Sequence, residues 1–331
     1  MKKSMKTKLS LGFFPTPIYE LKNLSKSFGG YRIYIKRDDH NGVATGGNKI
    51  RKLEYLLQDA LDQGCDTVIT AGAQQSNHCR LTAAACAQTG LKCHLLLGGE
   101  RPEQYDGNLL LSHLLGAQIH FTGNNRKGED IPVLEEELKK EGARPYVVPY
   151  GGSNRIGALG YVDFIPELKD QMEAANIKID AIVFPSSSGG THAGLVAGSE
   201  LYGFKGRLTG ISIDKEKTND RTLEEIIAGL VSEVLELYDG KNVDGKVAID
   251  LVRDYDQAGY GVITGNEKKA IELLARTEGI LLDPVYTARA FYGMIDLMEK
   301  KFFRAGSGIL FLHTGGIPAS FCYAKELTPM I

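Results

Sequence analysis

Residues 41–55 read NGVATGGNKIRKLEY, a glycine-rich loop that delivers Lys49 to the start of a helical pattern. A lysine so placed can hold phosphates as a charge or attack a carbonyl as an amine. The phosphate loop of NTPases is G-x-x-x-x-G-K-[ST], with the lysine directly after the last glycine and a hydroxyl to hold magnesium. Gly42 and Gly47 have that separation, but Asn48 intervenes before Lys49 and Ile50 stands where the hydroxyl is needed. The NTPase reading fails at both positions that do the chemistry. With Asn48 as N-cap, the Lys49 amine feels the positive end of a helix dipole, which together with burial favours the neutral form that Schiff-base chemistry requires. Taken alone, the loop serves a solvated first-turn lysine equally well.

Two further loops carry polar groups in excess of what turns consume. In AGAQQSNHCR, residues 71–80, Ser76 or Asn77 can cap the next helix, and the free amides at such an end suit a small carboxylate. One cap uses one of them, and Gln74 and Gln75 stand beside the pair. In FPSSSGGTHAG, residues 184–194, Ser186, Ser187 and Ser188 offer hydroxyls, Gly189 and Gly190 let backbone amides converge, and Thr191 adds a donor at the helix start. This is a phosphate cup, with a flexible Ser/Gly turn as the plain alternative. It has neither G-x-G-x-x-G nor a trailing lysine, so a dinucleotide or triphosphate fits poorly. Tyr260 in AGYGV, Tyr286 and Thr287 in DPVYTARAF and Thr314 in FLHTGG follow toward the C-terminus. Nothing physical separates those two tyrosines from the 15 in the chain, and His192 and His313 read as satisfied structural histidines.

The elements that must position these loops are strands alternating with helices. YRIYIK, DTVITAGA, LKCHLLL, AQIHFTG, PYVVPY, AIVFPS, RLTGISI and GILFLHT are brief, apolar and bounded by turn residues, as buried strands are. NKIRKLEYLLQDALDQG, HCRLTAAACAQTG and NEKKAIELLARTEG have helical spacing and supply crossovers. The pattern predicts an α/β fold with twisted, mainly parallel sheets, whose ligands gather at the carboxyl ends of strands. All three polar loops begin there.

Composition narrows the partners. The chain of 331 residues is 43% hydrophobic and 24% charged, with a formal charge of -2, which leaves no electrostatic case for nucleic acid or anionic lipid. The N-terminal LSLGFF is too short for a signal-peptide core, and no apolar run is long enough for a membrane span. Five cysteines, an odd number in a chain too large to need staples, fit a reducing cytoplasm. The histidines and cysteines show no zinc-like spacing, so no metal is expected. A small molecule is the expected partner.

A neutral lysine, a phosphate cup and a carboxylate-binding helix end together describe a site for an amino acid joined to pyridoxal 5'-phosphate. The chain resembles the branch of the tryptophan-synthase-β-like, fold-type II pyridoxal phosphate enzymes that contains D-cysteine desulfhydrase and 1-aminocyclopropane-1-carboxylate (ACC) deaminase. FPTP, YIKRDD, GGNKIRKLEYLL, GAQQSNH, RPYVVPYGGS, GALGYV, SSGGTHAGL, GYGV, EGILLDPVYT and ILFLHTGG carry the resemblance over nearly the whole length. It implies two open twisted α/β lobes, a large one from residues 1–50 and 162–331 and a small one from 51–161 inserted into it. It implies a homodimer, and a small amino acid as substrate. Lys49 would hold the cofactor covalently, Asn77 would bond its ring hydroxyl, and Ser188, Gly189, Gly190 and Thr191 would hold its phosphate. Thr314 would approach the pyridine nitrogen. Gln75, Ser76 and Asn77 would face the substrate carboxylate, with Tyr260, Tyr286 and Thr287 on the substrate side.

Within that branch, deaminases that open the cyclopropane ring carry a glutamate after DPVY, where this chain has Thr287. A carboxylate there would keep the ring nitrogen protonated and deepen the electron sink; a neutral hydroxyl would not. Loss of a β-thiol needs less carbanion stabilisation, so the resemblance implies β-elimination of D-cysteine or a close β-substituted amino acid to pyruvate, ammonia and hydrogen sulfide. Ring-opening deamination to 2-oxobutanoate and ammonia is the first alternative. Lys49 is the first choice for the base that takes the α-proton, with Ser76 or a tyrosine as the alternative. An inward-turned Arg289, in TARAF where the family reads TGKA, would make an anionic β-substituent plausible and L-cysteate sulfo-lyase a third reading.

Overall fold

The computed structural model describes residues 6–214, 221–238 and 248–328. Its strands are β1 (Ile18–Glu20), β2 (Arg32–Arg37), β3 (Thr67–Ala73), β4 (Lys92–Gly98), β5 (Gln118–Phe121), β6 (Pro145–Val147), β7 (Ala181–Ser186), β8 (Arg207–Ser212), β9 (Leu251–Val252) and β10 (Gly308–His313). Every expected strand forms. β1 and β9, three and two residues long, are too short to leave a periodic signal in the sequence. A six-stranded sheet runs β1-β2-β10-β7-β8-β9 and a four-stranded sheet β5-β4-β3-β6. The pairings between these strands are parallel except β1 with β2, which lies antiparallel at an edge. β7 and β10 are buried at every residue because helices cover both faces, which is why they read as unbroken apolar runs.

This order positions the site. β10 lies between β2 and β7, pairing Phe311 with Ile35 on one side and Val183 on the other. The loops that leave the carboxyl ends of these three adjacent strands are therefore neighbours: 38–48 with its GGNK, 314–316, and 187–189 of the serine–glycine turn. β3 sits inside the smaller sheet, and the loop at its carboxyl end brings Ser76 to the same cleft. The strands of the smaller sheet all fall within residues 67–147, and those of the larger sheet come from both chain ends.

The helix Lys49–Asp62 links the two sheets. It packs against the helix Arg155–Val162 so closely that a Cβ on Gly160 would lie 2.1 Å from the Arg51 carbonyl oxygen, so glycine is required there. Leu53, Leu56 and Leu57 join Leu159 and Val162 in one apolar cluster. Arg51 pins the base of this helix: it donates to both oxygens of Asp38 at 2.9 Å and to both of Glu167 at 2.8 Å. Tyr161 donates to Asp38 at 2.5 Å, and the buried Lys36 amine donates to Glu167. Burial raises the Asp38 carboxyl, but the Arg51 guanidinium outweighs it and holds the group below the usual carboxylate range. YIKRDD and RKLE thus encode one buried ion network that fixes where Lys49 starts its helix.

Candidate active site

Lys49 opens the helix Lys49–Asp62 at the floor of a cleft between the sheets. Asn48 occupies the N-cap position, but its backbone is helical and its side chain does not cap. Instead its amide donates to the Thr191 hydroxyl at 3.1 Å and accepts from the Lys49 amine at 3.0 Å, while its backbone N–H donates to the Thr314 carbonyl at 3.0 Å. One side chain therefore ties the lysine to the phosphate-cup helix. Burial lowers the Lys49 amine from 10.5 to about 8, against the pull of Asp283 and with the help of the Arg80 charge. A usable fraction of neutral amine follows near neutral pH, as the sequence reading required.

Ser76 is the N-cap of the helix Asn77–Thr89, and its Oγ accepts from the Cys79 N–H at 3.2 Å. Capping occupies a lone pair and leaves the hydroxyl proton for an acceptor in the cleft, so cap and carboxylate ligand are compatible roles. The Asn77 Oδ1 accepts from Asn108 Nδ2 at 2.8 Å, which turns the Asn77 NH2 outward as a donor. Gln75 was expected to face the substrate. Its amide is instead engaged by the 106–108 turn, accepting from the Asn108 N–H at 2.8 Å and donating to the Asp106 carbonyl at 3.2 Å. It builds the wall and does not line the cleft.

Opposite this helix end lies the serine–glycine cup. Gly189 takes a left-handed backbone (φ 84°) and Gly190 begins the helix Gly190–Tyr202. A Cβ on Gly190 would lie 2.6 Å from Ser153 Oγ and 2.9 Å from Lys52 Nζ, so only glycine lets these groups approach the cup. Ser153 accepts from the Gly190 N–H at 3.1 Å and shares a hydrogen bond of 2.8 Å with Ser188. Lys52 donates to the Gly151 carbonyl at 3.0 Å and to Ser153 at 3.3 Å. It is 1% exposed, and none of its described partners is a carboxylate. Burial, then the charge of Lys49, drives its pKa well below the ordinary range. Sequence reasoning passed over Lys52 and Ser153. The signal for Lys52 was its i+3 spacing from Lys49, which places both amines on one helix face.

On the substrate side the Tyr260 and Tyr286 hydroxyls meet at 2.7 Å, and Tyr286 lines the cleft with Thr314 and Tyr150. The Arg126 guanidinium lies 4.6 Å over the Tyr260 ring and donates to Tyr150 at 3.3 Å and Asp214 at 3.1 Å. Thr287 was expected to face the substrate, yet its hydroxyl donates to Asp283 Oδ1 at 2.7 Å and it is wholly buried. Asp283, another residue the sequence reading missed, accepts from the backbone N–H groups of Val285, Tyr286 and Thr287 and so aims Tyr286. Arg289 does turn inward, but its donors go to Glu267 at 2.7 Å and to the carbonyls of Ile213, Gly259 and Val262. It holds the loop that bears Tyr260. His313 is satisfied by Leu281 and Gly315, whereas His192 bonds Ser186 through Nδ1 and its buried Nε2 has no partner among the described residues.

The cleft is lined by Asn48, Lys49, Ser76, Asn77, Ser188 and Thr191 among others. Its donors fit a pyridoxal phosphate. A buried amine with no carboxylate among its described partners sits beside the glycine cup, an oriented amide donor is available for a ring oxygen, and a lysine of lowered pKa lines the same cleft. Residues 9–315 match the family described as pyridoxal-phosphate dependent enzymes. The chain is 43% identical over 319 residues to a D-cysteine desulfhydrase of Klebsiella pneumoniae, covering 95% of each chain. It is 42% identical over 321 residues to a Pyrococcus abyssi protein whose name assigns it provisionally to ACC deaminase, covering 96% of this chain and 93% of the other. The crystal structure of an ACC deaminase homologue superposes with a TM-score of 0.88 at 41% identity, over 97% of this chain and 95% of that one. A lysine, a cup and a helix end converging in one cleft, together with these likenesses along almost the full length, mean that the chain belongs to the pyridoxal-phosphate dependent enzymes and has the tryptophan-synthase-β-like fold.

Proposed function

We propose that the chain is a carbon–sulfur lyase that converts D-cysteine, or a close β-substituted amino acid, to pyruvate, ammonia and hydrogen sulfide. The observation that carries this reading is the position of the Lys49 amine between a helix end suited to a carboxylate and a cup suited to a phosphate. Bound pyridoxal phosphate supplies the electron sink for the charge left when the substrate loses its α-proton. The protein does the rest. Lys52, Ser153, Ser188, Gly189, Gly190 and Thr191 would hold the phosphate, the Asn77 NH2 would donate to the ring oxygen, and Thr314 would serve the ring nitrogen. The Ser76 hydroxyl and the helix amides behind it hold the substrate carboxylate. Lys49 would hold the group at its aldehyde carbon, and its amine is placed to take the α-proton from the substrate. Tyr286, kept in place by Asp283 and Tyr260, closes the side where the thiol departs.

Position 287 supports elimination over ring opening. Its hydroxyl is neutral and turned to Asp283, and the Asp283 oxygens are occupied by that hydroxyl and three backbone N–H groups. Ring-opening deamination remains the second reading because of the ACC deaminase names among the relatives. The sulfonate reading loses its support, since Arg289 is not among the residues lining the cleft and four of its five N–H donors go to Glu267 and three carbonyls. We further propose that residues 51–161 form a small domain that closes on the larger one, that the protein is a homodimer, and that it works in the cytoplasm; five free cysteines accord with the last. No helix among the described residues is long and apolar enough to cross a membrane.

The deciding experiment is a turnover panel of D-cysteine, L-cysteine, L-cysteate, β-chloro-D-alanine and the cyclopropane acid with wild type and Lys49→Ala. Pyruvate and sulfide from D-cysteine are expected for the wild type, and a colourless, inactive variant. Faster release of 2-oxobutanoate than of sulfide would reverse the order of the two readings.

A further inference from the structure

Arg126 stands in the turn that follows β5, at the carboxyl edge of the smaller sheet. Glycine at position 98 admits it: a Cβ there would lie 2.6 Å from the Arg126 Cβ, so the root of the arginine rests on the last residue of β4. The turn beneath is tied down, because the Gly99 N–H donates to the Gly123 carbonyl at 2.5 Å and Asn125 Nδ2 donates to Asp130 at 2.9 Å. A side chain held at its root has its direction set, and the guanidinium reaches three groups at once. It donates to Asp214 at 3.1 Å and to the Tyr150 hydroxyl at 3.3 Å, and its central carbon lies 4.6 Å from the centre of the Tyr260 ring.

Two of these partners come from the other sheet. Asp214 follows β8 of the six-stranded sheet and Tyr260 precedes the helix Gly265–Glu278, whereas Tyr150, which lines the cleft, follows β6 of the smaller sheet. Arg289 fixes both targets from behind, donating to the Ile213 carbonyl beside Asp214 and to the Gly259 and Val262 carbonyls on either side of Tyr260. The side chains of Arg126 and Asp214 are 19% and 11% exposed, so water and salt screen the pair only in part, and a cation over a tyrosine face adds its own attraction. We propose that Arg126 is a positioning residue that latches the two sheets together on the substrate side, holding the Tyr260 ring and, through the 2.7 Å contact of the two hydroxyls, Tyr286. The inference rests on the reading of Tyr286 as the wall of the substrate side and adds what keeps that wall in place. Asp283 aims Tyr286 from within its own turn; Arg126 steadies it from the opposite sheet through Tyr260.

A contact that spans two sheets loosens both ends when it is lost, and hydrogen exchange of the full chain, read by mass spectrometry without cofactor, measures each end separately. Arg126→Met should speed exchange roughly five- to tenfold in residues 122–130 and in residues 256–264 alike, and Asp214→Asn, which removes the charge that anchors the guanidinium, roughly threefold in both. With pyridoxal phosphate bound, Arg126→Met should raise KM for D-cysteine roughly tenfold and lower kcat by less than about threefold, because the latch acts on the closed form that substrate selects. The Kd for the cofactor should stay within about twofold of wild type, since Lys49, Asn77 and the cup are held by Asn48, Asn108 and Ser153. Exchange unchanged in 256–264, or a cofactor Kd that rises together with KM, overturns the proposal and leaves Arg126 as a brace for its own turn. The two substitutions enter the contact from opposite sheets, so Asp214→Asn decides the matter if methionine disturbs the turn. A wild type that turns over none of the amino acids in the panel would sink the functional reading, and the exchange result would still judge the latch.

Discussion

Replacing Lys52 by Met should move two measurements in opposite directions. In the cofactor-free chain the Lys52 amine is buried beside Lys49, and among its described partners are only a carbonyl and a hydroxyl. Methionine removes the cost of desolvating a charge while filling the same channel. The Gly151 carbonyl keeps a donor, because the Ser153 hydroxyl lies 3.4 Å from it. Stability without cofactor should therefore rise by about 1 kcal/mol, seen as a melting point roughly 2 °C higher. Linkage fixes the sign of a second effect. The folded pKa of Lys52 lies below 10.5, so between the two values the unfolded chain holds the extra proton and stability rises with pH. The variant should lose part of that slope.

Cofactor binding should change the other way. The cup gains its charge complement only when a phosphate dianion arrives, and a charge-assisted bond of this kind contributes about 1.5–3 kcal/mol. Titration with pyridoxal phosphate, followed by visible absorption, should give a Kd raised roughly 10- to 150-fold. Pyridoxal without the phosphate should bind wild type and variant alike. A Kd unchanged by the substitution would refute the assignment of Lys52 to the phosphate. A melting point lower by several degrees would show that the amine is a structural support and that its burial was misjudged.

Three further outcomes follow from the same geometry. The rate at which the free chain captures pyridoxal phosphate should rise about tenfold per pH unit and level off near 8, since Lys49 must be neutral to react; a rise continuing toward 10.5 in stopped-flow absorbance would contradict the lowered pKa. Arg289→Met strands the Glu267 carboxylate and three carbonyls, so denaturant unfolding should show a loss of about 3–5 kcal/mol, and turnover of D-cysteine and L-cysteate should fall by the same factor. Selective loss of L-cysteate turnover would restore Arg289 as a substrate ligand. Asn108→Ala frees the Asn77 side-chain amide and the Gln75 backbone carbonyl together, and the Kd for pyridoxal phosphate should rise about tenfold at a stability cost of about 1 kcal/mol; an unaltered Kd would mean that Asn77 is oriented by something else.

The strands and the three polar loops were legible in the sequence because each depends on residues within one short window: an apolar run, a turn, a cap. Ser76 caps as its local pattern predicts, and Gly189 bends as a glycine in a cup must. The errors share a different origin. Gln75 and Thr287 stand at the right places along the chain, but their hydrogen bonds go to Asn108 and Asp283, one 33 residues away and the other a turn earlier. Lys52, Ser153 and Asp283 were missed for the converse reason, since their importance lies in what they touch across the cleft. Arg289 makes the point most directly. Its inward direction alone would have favoured an anionic substrate, but four of its five donors go to Glu267 and three carbonyls and it does not line the cleft. A polar side chain near a cleft becomes available to a ligand only after its partners in the protein have been counted. By that count Lys52, to which the sequence reading gave no role, has more left to offer than Gln75, to which it gave one.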